Sequence, residues 1–214
     1  MATNIKTWEI IEGKLSPIKS TLADNNRKET EHLENWIKTK PDILGTDILI
    51  IGQQVYTKSG PLDFLAIDNN GNIVVVELKR DKLARVVLAQ AIDYASDLST
   101  WDIDKLSEIC MSYTGNSLED HIAENFEDIE IDDLTINQTQ RLLLVGFSIE
   151  ESLNRMIEWL SSNFDLSINA IILNYVITSN GTELLSRTVT IPEEIAKEKT
   201  SKKKFKIEMS NDPG

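Results

Sequence analysis

The sequence contains little cysteine and histidine and no long apolar run, and these absences exclude several classes of protein. Cys110 is the only cysteine among 214 residues, which excludes an intrachain disulfide and a zinc site built from cysteines. His32 and His121 are far apart in sequence and form no ligand motif, so we interpret them as surface or helix residues. No apolar run approaches the roughly 18 residues that a membrane helix needs. The first residues also lack the basic and then apolar pattern of a signal peptide, so we expect a cytoplasmic protein without a membrane partner.

Positive charge is scarce as well, because the formal net charge is −13, which argues against non-specific binding to a polyanion. The acidity is localised, however. Residues 102–133 contain eleven acidic side chains and one lysine, a net of −10, which leaves −3 for the other 182 residues. Basic residues cluster at 79–85 and at 197–206, where six of ten residues are lysine. A phosphate-binding face is therefore not excluded. We interpret 102–133 as a solvated helical face, with repulsion of DNA or docking of a basic protein partner as alternatives.

The apolar patterns predict a folded chain in which strands and helices alternate. Strands are predicted at 5–11, about 14–19, 47–57, 61–68, 72–79, 141–149, 168–178 and 183–191, and helices at about 27–40, 83–98, 102–133 and 150–164. This order predicts an α/β fold with a mixed sheet and helices on both faces. We predict one domain over 1–192, with its core at about 27–98, an acidic helical insert at 102–133 and a β-α-β-β unit at 141–191. That unit either extends the sheet or forms the edge of a homodimer, and 193–214 is predicted to be a lysine-rich flexible tail.

The predicted hairpin at 61–79 carries charged residues at strand positions where apolar residues would be more stable. Glu77 and Lys79 are two residues apart and therefore share one face of the strand, whereas Val74, Val76 and Leu78 face a core. A two-residue turn would place Asp63 on the opposite face from Glu77. A three-residue loop at 69–71 ends in glycine, as a type I turn with a bulge requires, and it places Asp63 directly opposite Glu77. We therefore predict that the two carboxylates lie side by side.

Two adjacent carboxylates repel each other unless a cation or a proton lies between them. Oxygen atoms of Asp63, Glu77 and the backbone carbonyl of Leu78 suit Mg²⁺ or Mn²⁺, which is usually held by one or two carboxylates together with water and phosphate oxygens. Lys79 is then placed to hold a water near a phosphorus atom or to neutralise charge on a phosphate. On the following helix, Gln90 and Tyr94 are four residues apart and lie on one face.

Asp63, the tripeptide Glu77-Leu78-Lys79, and Gln90 with Tyr94 together resemble the signature of the PD-(D/E)xK nuclease superfamily. The match is to the branch with RecB-like and archaeal mismatch-endonuclease-like catalytic domains, which share a Gln-x-x-x-Tyr motif and occur widely in prokaryotic proteins. The likeness is strong over about 27–98 and looser over 141–191. It implies a restriction-endonuclease-like fold and metal-dependent hydrolysis of phosphodiester bonds.

The resemblance also implies a role for each residue. Asp63 and Glu77 bind the metal, Lys79 orients the attacking water, and Gln90 and Tyr94 position Lys79 or the scissile phosphate. The family places a further glutamate on the helix before the sheet, and this sequence offers Glu29, Glu31 and Glu34. Helix geometry favours Glu29, which falls closest to the apolar face, with Glu34 at its margin and Glu31 nearly opposite. Arg80, Lys82 and Arg85 are candidates for contacts with backbone phosphates.

We therefore expect a divalent-metal-dependent endonuclease that acts on DNA in repair or in defence against foreign DNA. One alternative is a non-catalytic nucleic-acid-binding or regulatory module that retains the nuclease fold. A weaker alternative is an acidic interaction protein whose hairpin charges are structural. The sequence does not determine whether the substrate is DNA or RNA or how many metal ions take part.

Overall fold

The structure, a computed structural model, describes residues 6–18, 32–127, 129, 131–192 and 195. Within these residues the chain forms short 3₁₀ turns at Pro41–Ile43 and Ile131–Asp133 and the following elements: β1 (Thr7–Ile11), β2 (Lys14–Ile18), α1 (Glu34–Thr39), β3 (Ile48–Thr57), β4 (Gly60–Asp68), β5 (Ile73–Leu78), β6 (Lys82–Leu83), α2 (Arg85–Leu98), α3 (Ile103–Thr114), α4 (Leu118–Asn125), β7 (Gln140–Gly146), β8 (Ser148–Ile149), α5 (Glu151–Phe164), β9 (Ile168–Ile177) and β10 (Glu183–Val189). The order agrees with the sequence prediction, except that the strand predicted at 141–149 is divided into β7 and β8 and that the short strand β6 occupies the predicted start of the helix at 83–98. The first part of the helix predicted at 27–40 and the tail predicted at 193–214 lie outside the described residues, except for Ile195.

A six-stranded mixed sheet forms the centre of the molecule, in the order β10-β9-β7-β5-β4-β3. Strands β3, β4 and β5 are antiparallel, β5, β7 and β9 run parallel, and β10 returns antiparallel to β9. The β-α-β-β unit therefore extends the sheet, which was one of its two predicted roles, and β10 forms an edge of it. Two small sheets, β1 with β2 and β6 with β8, lie outside the central one.

Each face of the sheet carries its own apolar core, as expected for a mixed sheet covered by helices on both faces. The larger core includes Ile51, Leu65 and Val75 from the strands and receives apolar residues of α2, α3, α4 and α5. The smaller core on the other face packs Leu33 and Ile37, from α1 and the turn before it, against strand residues. Val74, Val76 and Leu78 belong to this smaller core, which confirms the predicted alternation along β5.

The turn between β4 and β5 has the predicted three-residue loop. Phe64 pairs with Val76 and Ile67 with Ile73, and the Asp68 amide donates to the Asn72 carbonyl at 2.9 Å. Gly71 has φ +84°, the left-handed conformation that a glycine adopts readily. Extending this register by one pair places Asp63 opposite Glu77.

The acidic segment is helical, as predicted, and it forms the two amphipathic helices α3 and α4. Helix α3 ends at Gly115 with φ +84°, and Ser117 caps α4 by accepting a hydrogen bond from the Asp120 amide. Leu106, Cys110, Leu118 and Ile122 are buried against the larger core, whereas most of the acidic side chains are exposed. The segment is thus attached to the sheet through its apolar face and presents its charge to solvent.

A buried charged network, which the sequence analysis did not predict, joins three strands at the end of the sheet away from Asp63. Arg141 Nη1 donates to Asp47 Oδ2 at 2.8 Å and to Asp68 Oδ2 at 2.9 Å. All three side chains are less than 10% exposed. Burial lowers the pKa of Arg141, but the charges of Asp68 and Asp47 more than offset it, so the guanidinium pKa lies above its usual value. Among the described residues, no helix is long and apolar enough to cross a bilayer.

Candidate nuclease site

Asp63 lies near the middle of β4, where it accepts hydrogen bonds from two directions. Its Oδ2 accepts from the Leu78 amide of β5 at 2.8 Å, and its Oδ1 accepts from Gln54 Nε2 of β3 at 3.1 Å. Burial raises the pKa of the Asp63 carboxyl, while the Leu78 amide, the charge of Lys79 and the Gln54 amide oppose that rise. Asp63 is thus fixed between the two neighbouring strands, and it faces a cationic side chain.

Glu77 and Lys79 form an ion pair at the end of β5. Lys79 Nζ lies 2.7 Å from Glu77 Oε1, and the Glu77 side chain is only 2% exposed. The Lys79 amide donates to the Val145 carbonyl of β7 at 2.8 Å, so the backbone here is held by the neighbouring parallel strand. A carboxylate this deeply buried requires a compensating charge, and Lys79 supplies one.

Helix α1 contributes the buried carboxylate of Glu34, which is 4% exposed. Its Oε2 accepts from Gln53 Nε2 at 2.7 Å and its Oε1 from Gln54 Nε2 at 3.0 Å. Burial raises the pKa of Glu34 and the charge of Asp63 raises it further, while the two glutamine amides oppose these effects. The second choice of the helical glutamates therefore lies at the site. Glu29, the first choice, and Glu31 lie outside the described residues, so that prediction stays untested.

The Gln-x-x-x-Tyr pair on α2 is anchored to the start of β4. Gln90 Nε2 lies 3.4 Å from the Tyr94 hydroxyl, which donates to the Pro61 carbonyl at 2.9 Å. Pro61 precedes Asp63 by two residues, so this contact fixes α2 relative to the strand that carries Asp63. The predicted roles of Gln90 and Tyr94 towards Lys79 or a phosphate stay predictions.

The three candidate phosphate ligands lie on the segment that leaves β5. Arg80, Lys82 and Arg85 are all exposed. The Arg80 guanidinium lies 3.3 Å from the carboxylate of its neighbour Asp81, whereas the Arg85 amide lies 3.4 Å from Glu150 Oε2. Their exposure is compatible with contacts to a polyanion, and binding itself stays a prediction.

The donor set around Asp63 has the chemistry that a hard divalent cation requires. Its members are carboxylate oxygens of Asp63 and Glu77 together with the Leu78 carbonyl, and Mg²⁺ commonly takes one or two protein carboxylates and fills its other positions with water and phosphate. Across the described stretches, no three acidic, histidine or cysteine side chains form a ready-made metal cage. The residues therefore fit a cation that is shared with water and substrate rather than one enclosed by the protein.

Sequence reasoning missed Gln53, which donates to Glu34, and Gln54, which donates to both Glu34 and Asp63. The available signal was the pair of amides that interrupts the apolar run of β3, in the stretch from Ile50 to Tyr56. Both glutamines also line an open groove of about 380 Å³ between β3 and α3, together with Trp101 and Tyr113. The glutamines thus lie between this groove and the carboxylates.

Comparison with known proteins gives a partial match to nucleases. No family model matches the chain. The endonuclease NucS of Aeropyrum pernix is 36% identical over 59 residues, which are 28% of this chain and 23% of that protein. A repair endonuclease from Pyrococcus abyssi superimposes with a TM-score of 0.40 and 20% identity, over 62% of this chain and 43% of that one. An EndoMS complex with double-stranded DNA gives a TM-score of 0.40 and 19% identity, over 65% and 42% of the two chains. Over that short stretch the chain is similar in sequence to an archaeal endonuclease, and it spans less than half of each protein that it matches.

Proposed function

We propose that the chain is a divalent-metal-dependent endonuclease that hydrolyses phosphodiester bonds in DNA, in repair or in defence. The observation that carries the proposal is the pairing of Asp63 with β5. Asp63 Oδ2 accepts from the Leu78 amide at 2.8 Å, and the neighbouring residues Glu77 and Lys79 form a 2.7 Å ion pair. The acid, acid and lysine of the nuclease-like signature therefore lie on adjacent strands. The sequence match to an endonuclease over 59 residues supports the same conclusion.

In this proposal Asp63, Glu77 and the Leu78 carbonyl hold Mg²⁺ or Mn²⁺. When bound, such an ion lowers the pKa of a coordinated water and offsets the negative charge of the phosphate. Lys79, with its side chain 30% exposed, orients the attacking water and offsets charge that develops on the phosphate. Gln90 and Tyr94 position Lys79 or the phosphate, while Arg80, Lys82 and Arg85 bind phosphates along the DNA backbone.

Cleavage of a panel of labelled substrates tests the proposal. The panel contains single-stranded, duplex, mismatched and branched DNA and an RNA strand, each incubated with Mg²⁺, with Mn²⁺ or with EDTA. We expect cleavage of at least one DNA substrate with a divalent ion and none with EDTA. Lys79→Ala lowers the rate about 10²- to 10³-fold, as expected for the loss of a group that stabilises transition-state charge.

Lys40→Ala is the matched control, because Lys40 also pairs with a carboxylate, Asp42 at 3.1 Å, but its side chain is 73% exposed and takes no part in the site. It is expected to cleave as the wild type does. If no substrate is cut but DNA binds equally well to the wild type and to Glu77→Gln, the chain is a non-catalytic binding module instead. Cleavage that persists in Lys79→Ala at the wild-type rate contradicts the assigned site.

A further inference from the structure

Gln54 has a backbone conformation that its position in a strand does not explain. Its φ is +49°, in the left-handed region that residues other than glycine and asparagine rarely adopt. Its neighbours Gln53 and Val55 pair regularly with Phe64 and Leu62 of β4. A β-bulge between Ile50 and Gly52 lies just before it. The strand is therefore distorted at this residue while pairing continues on both sides.

The distortion directs the Gln54 amide to two carboxylates at once. Its Nε2 donates to Glu34 Oε1 at 3.0 Å and to Asp63 Oδ1 at 3.1 Å. These two bonds use both hydrogens that a side-chain amide nitrogen carries. A glutamine is neutral, so it can bridge two acids without cancelling the negative charge that attracts a cation, which a lysine at this position would do.

We propose that Gln54 is a positioning residue, whose strained backbone is retained because its amide ties Asp63, a proposed ligand of the divalent ion, to Glu34 of α1 and so fixes Asp63 for binding that ion. This inference rests on the proposed function, and it adds a residue to the site that the nuclease-like signature does not contain. Gln53 supports the same arrangement by donating to the other oxygen of Glu34 at 2.7 Å. Strained residues of this kind concentrate where the surrounding structure retains them for function.

The substitution Gln54→Gly separates a functional role from a structural one. Glycine accepts a positive φ without strain, so the variant keeps the path of the backbone and loses only the amide. We expect its dissociation constant for Mn²⁺, measured by calorimetry without DNA, to rise at least about tenfold, as for the loss of a group that orients metal ligands. Its kcat on a DNA substrate falls in parallel, its KM for that DNA is unchanged, and its urea midpoint without metal does not fall.

Asp165→Gly is the matched control, since Asp165 also has φ +50° but lies exposed at the end of α5. It relieves the same kind of strain and leaves Mn²⁺ binding and cleavage at the wild-type level. Gln54→Asn provides a second variant, because asparagine tolerates the left-handed region but its side chain is one methylene shorter, so its amide does not occupy the position of the glutamine amide. It is expected to lose Mn²⁺ affinity in the same direction as Gln54→Gly.

Two results overturn the inference. In the first, Gln54→Gly binds Mn²⁺ as tightly as the wild type. In the second, its urea midpoint falls together with its affinity, which means that Gln54 only stabilises the fold. If the wild type itself neither binds Mn²⁺ nor cuts DNA, the proposed function fails and the inference fails with it. If the wild type does both and Gln54→Gly matches it, the inference alone is wrong.

Discussion

Each of the three carboxylates at the candidate site is held by a different set of donors. Glu77 contacts a lysine, Asp63 accepts from a backbone amide and a glutamine, and Glu34 accepts from two glutamines. Of these donors, the lysine at Glu77 carries a charge, whereas the backbone amide and the glutamine amides at Asp63 and Glu34 are neutral. Burial raises the pKa of both Asp63 and Glu34, so their charged forms are disfavoured in the folded chain. In the proposed function, a bound divalent ion would favour these charged forms.

The raised pKa of Glu34 predicts how stability depends on pH. The folded chain binds a proton at Glu34 more tightly than the unfolded chain does, so this group destabilises the fold as the pH rises through its folded pKa. We expect Glu34→Gln to be more stable than the wild type at pH 8 and equal to it at pH 4, below the unfolded pKa. Urea unfolding of both proteins at both pH values measures the difference. A variant that is less stable at pH 8 contradicts the prediction.

Tyr94 predicts a measurable link between helix α2 and the site strand. Its hydroxyl is buried and donates to the Pro61 carbonyl, so Tyr94→Phe leaves that carbonyl without this donor and costs about 1 kcal/mol of stability. Because Pro61 precedes Asp63 by two residues, we also expect kcat to fall on a cleaved DNA substrate. Chemical denaturation and steady-state kinetics test both effects. If Tyr94→Phe loses stability but keeps the wild-type kcat, Tyr94 stabilises the packing of α2 and does not affect the site.

At the scale of elements, the register of β4 and β5 was predictable because one short turn determines it. Asn69, Asn70 and Gly71 favour a three-residue loop, and the alternation of apolar residues then places each side chain on its face. The distortion of β3 at Gln54 was not predictable in the same way. Periodicity describes regular strands, and nothing in the local sequence indicates that a glutamine adopts a positive φ. The sequence also did not determine which glutamate of the helix before the sheet lies at the site, since several glutamates fit the helical pattern. The position of Glu34 depends on its contact with Gln53 of β3, 19 residues away in sequence.

Gly71 provides a test of how the turn controls the site. Its φ is +84°, and an added Cβ would lie 3.0 Å from the Thr135 carbonyl oxygen, so Gly71→Ala meets both backbone strain and a close contact. Gly181 has the same φ, but nothing lies within 4 Å of its added Cβ. We expect Gly181→Ala to cost about 1 kcal/mol and Gly71→Ala clearly more. Only Gly71→Ala is expected to reduce Mn²⁺ binding, because a shift in the turn moves Asp63 relative to Glu77. Equal effects in the two variants would contradict this.

For the whole molecule, buried charge lies at two ends of the sheet, one with the Arg141 network and the other with the proposed site. Arg141 of β7 contacts Asp47, just before β3, and Asp68, at the end of β4. These contacts join three strands at one end of the sheet, whereas Asp63, Glu77 and Lys79 lie towards the other end. The buried charges at the first end compensate each other within the protein. At the second end burial raises the pKa of Asp63, and in the proposed function a divalent ion would offset the negative charge there.

This separation predicts opposite consequences for removing charge at the two ends. Arg141→Met leaves two buried carboxylates without their cation and is expected to cost about 3–5 kcal/mol, measured by urea unfolding. Converting Asp47 and Asp68 to asparagine in the same chain removes the uncompensated charge, so the triple variant recovers much of that loss. At the site, Glu34→Gln is instead expected to stabilise the chain at pH 8 and to weaken Mn²⁺ binding. A stabilising effect of Arg141→Met alone would mean that the buried network is not what holds the three strands together.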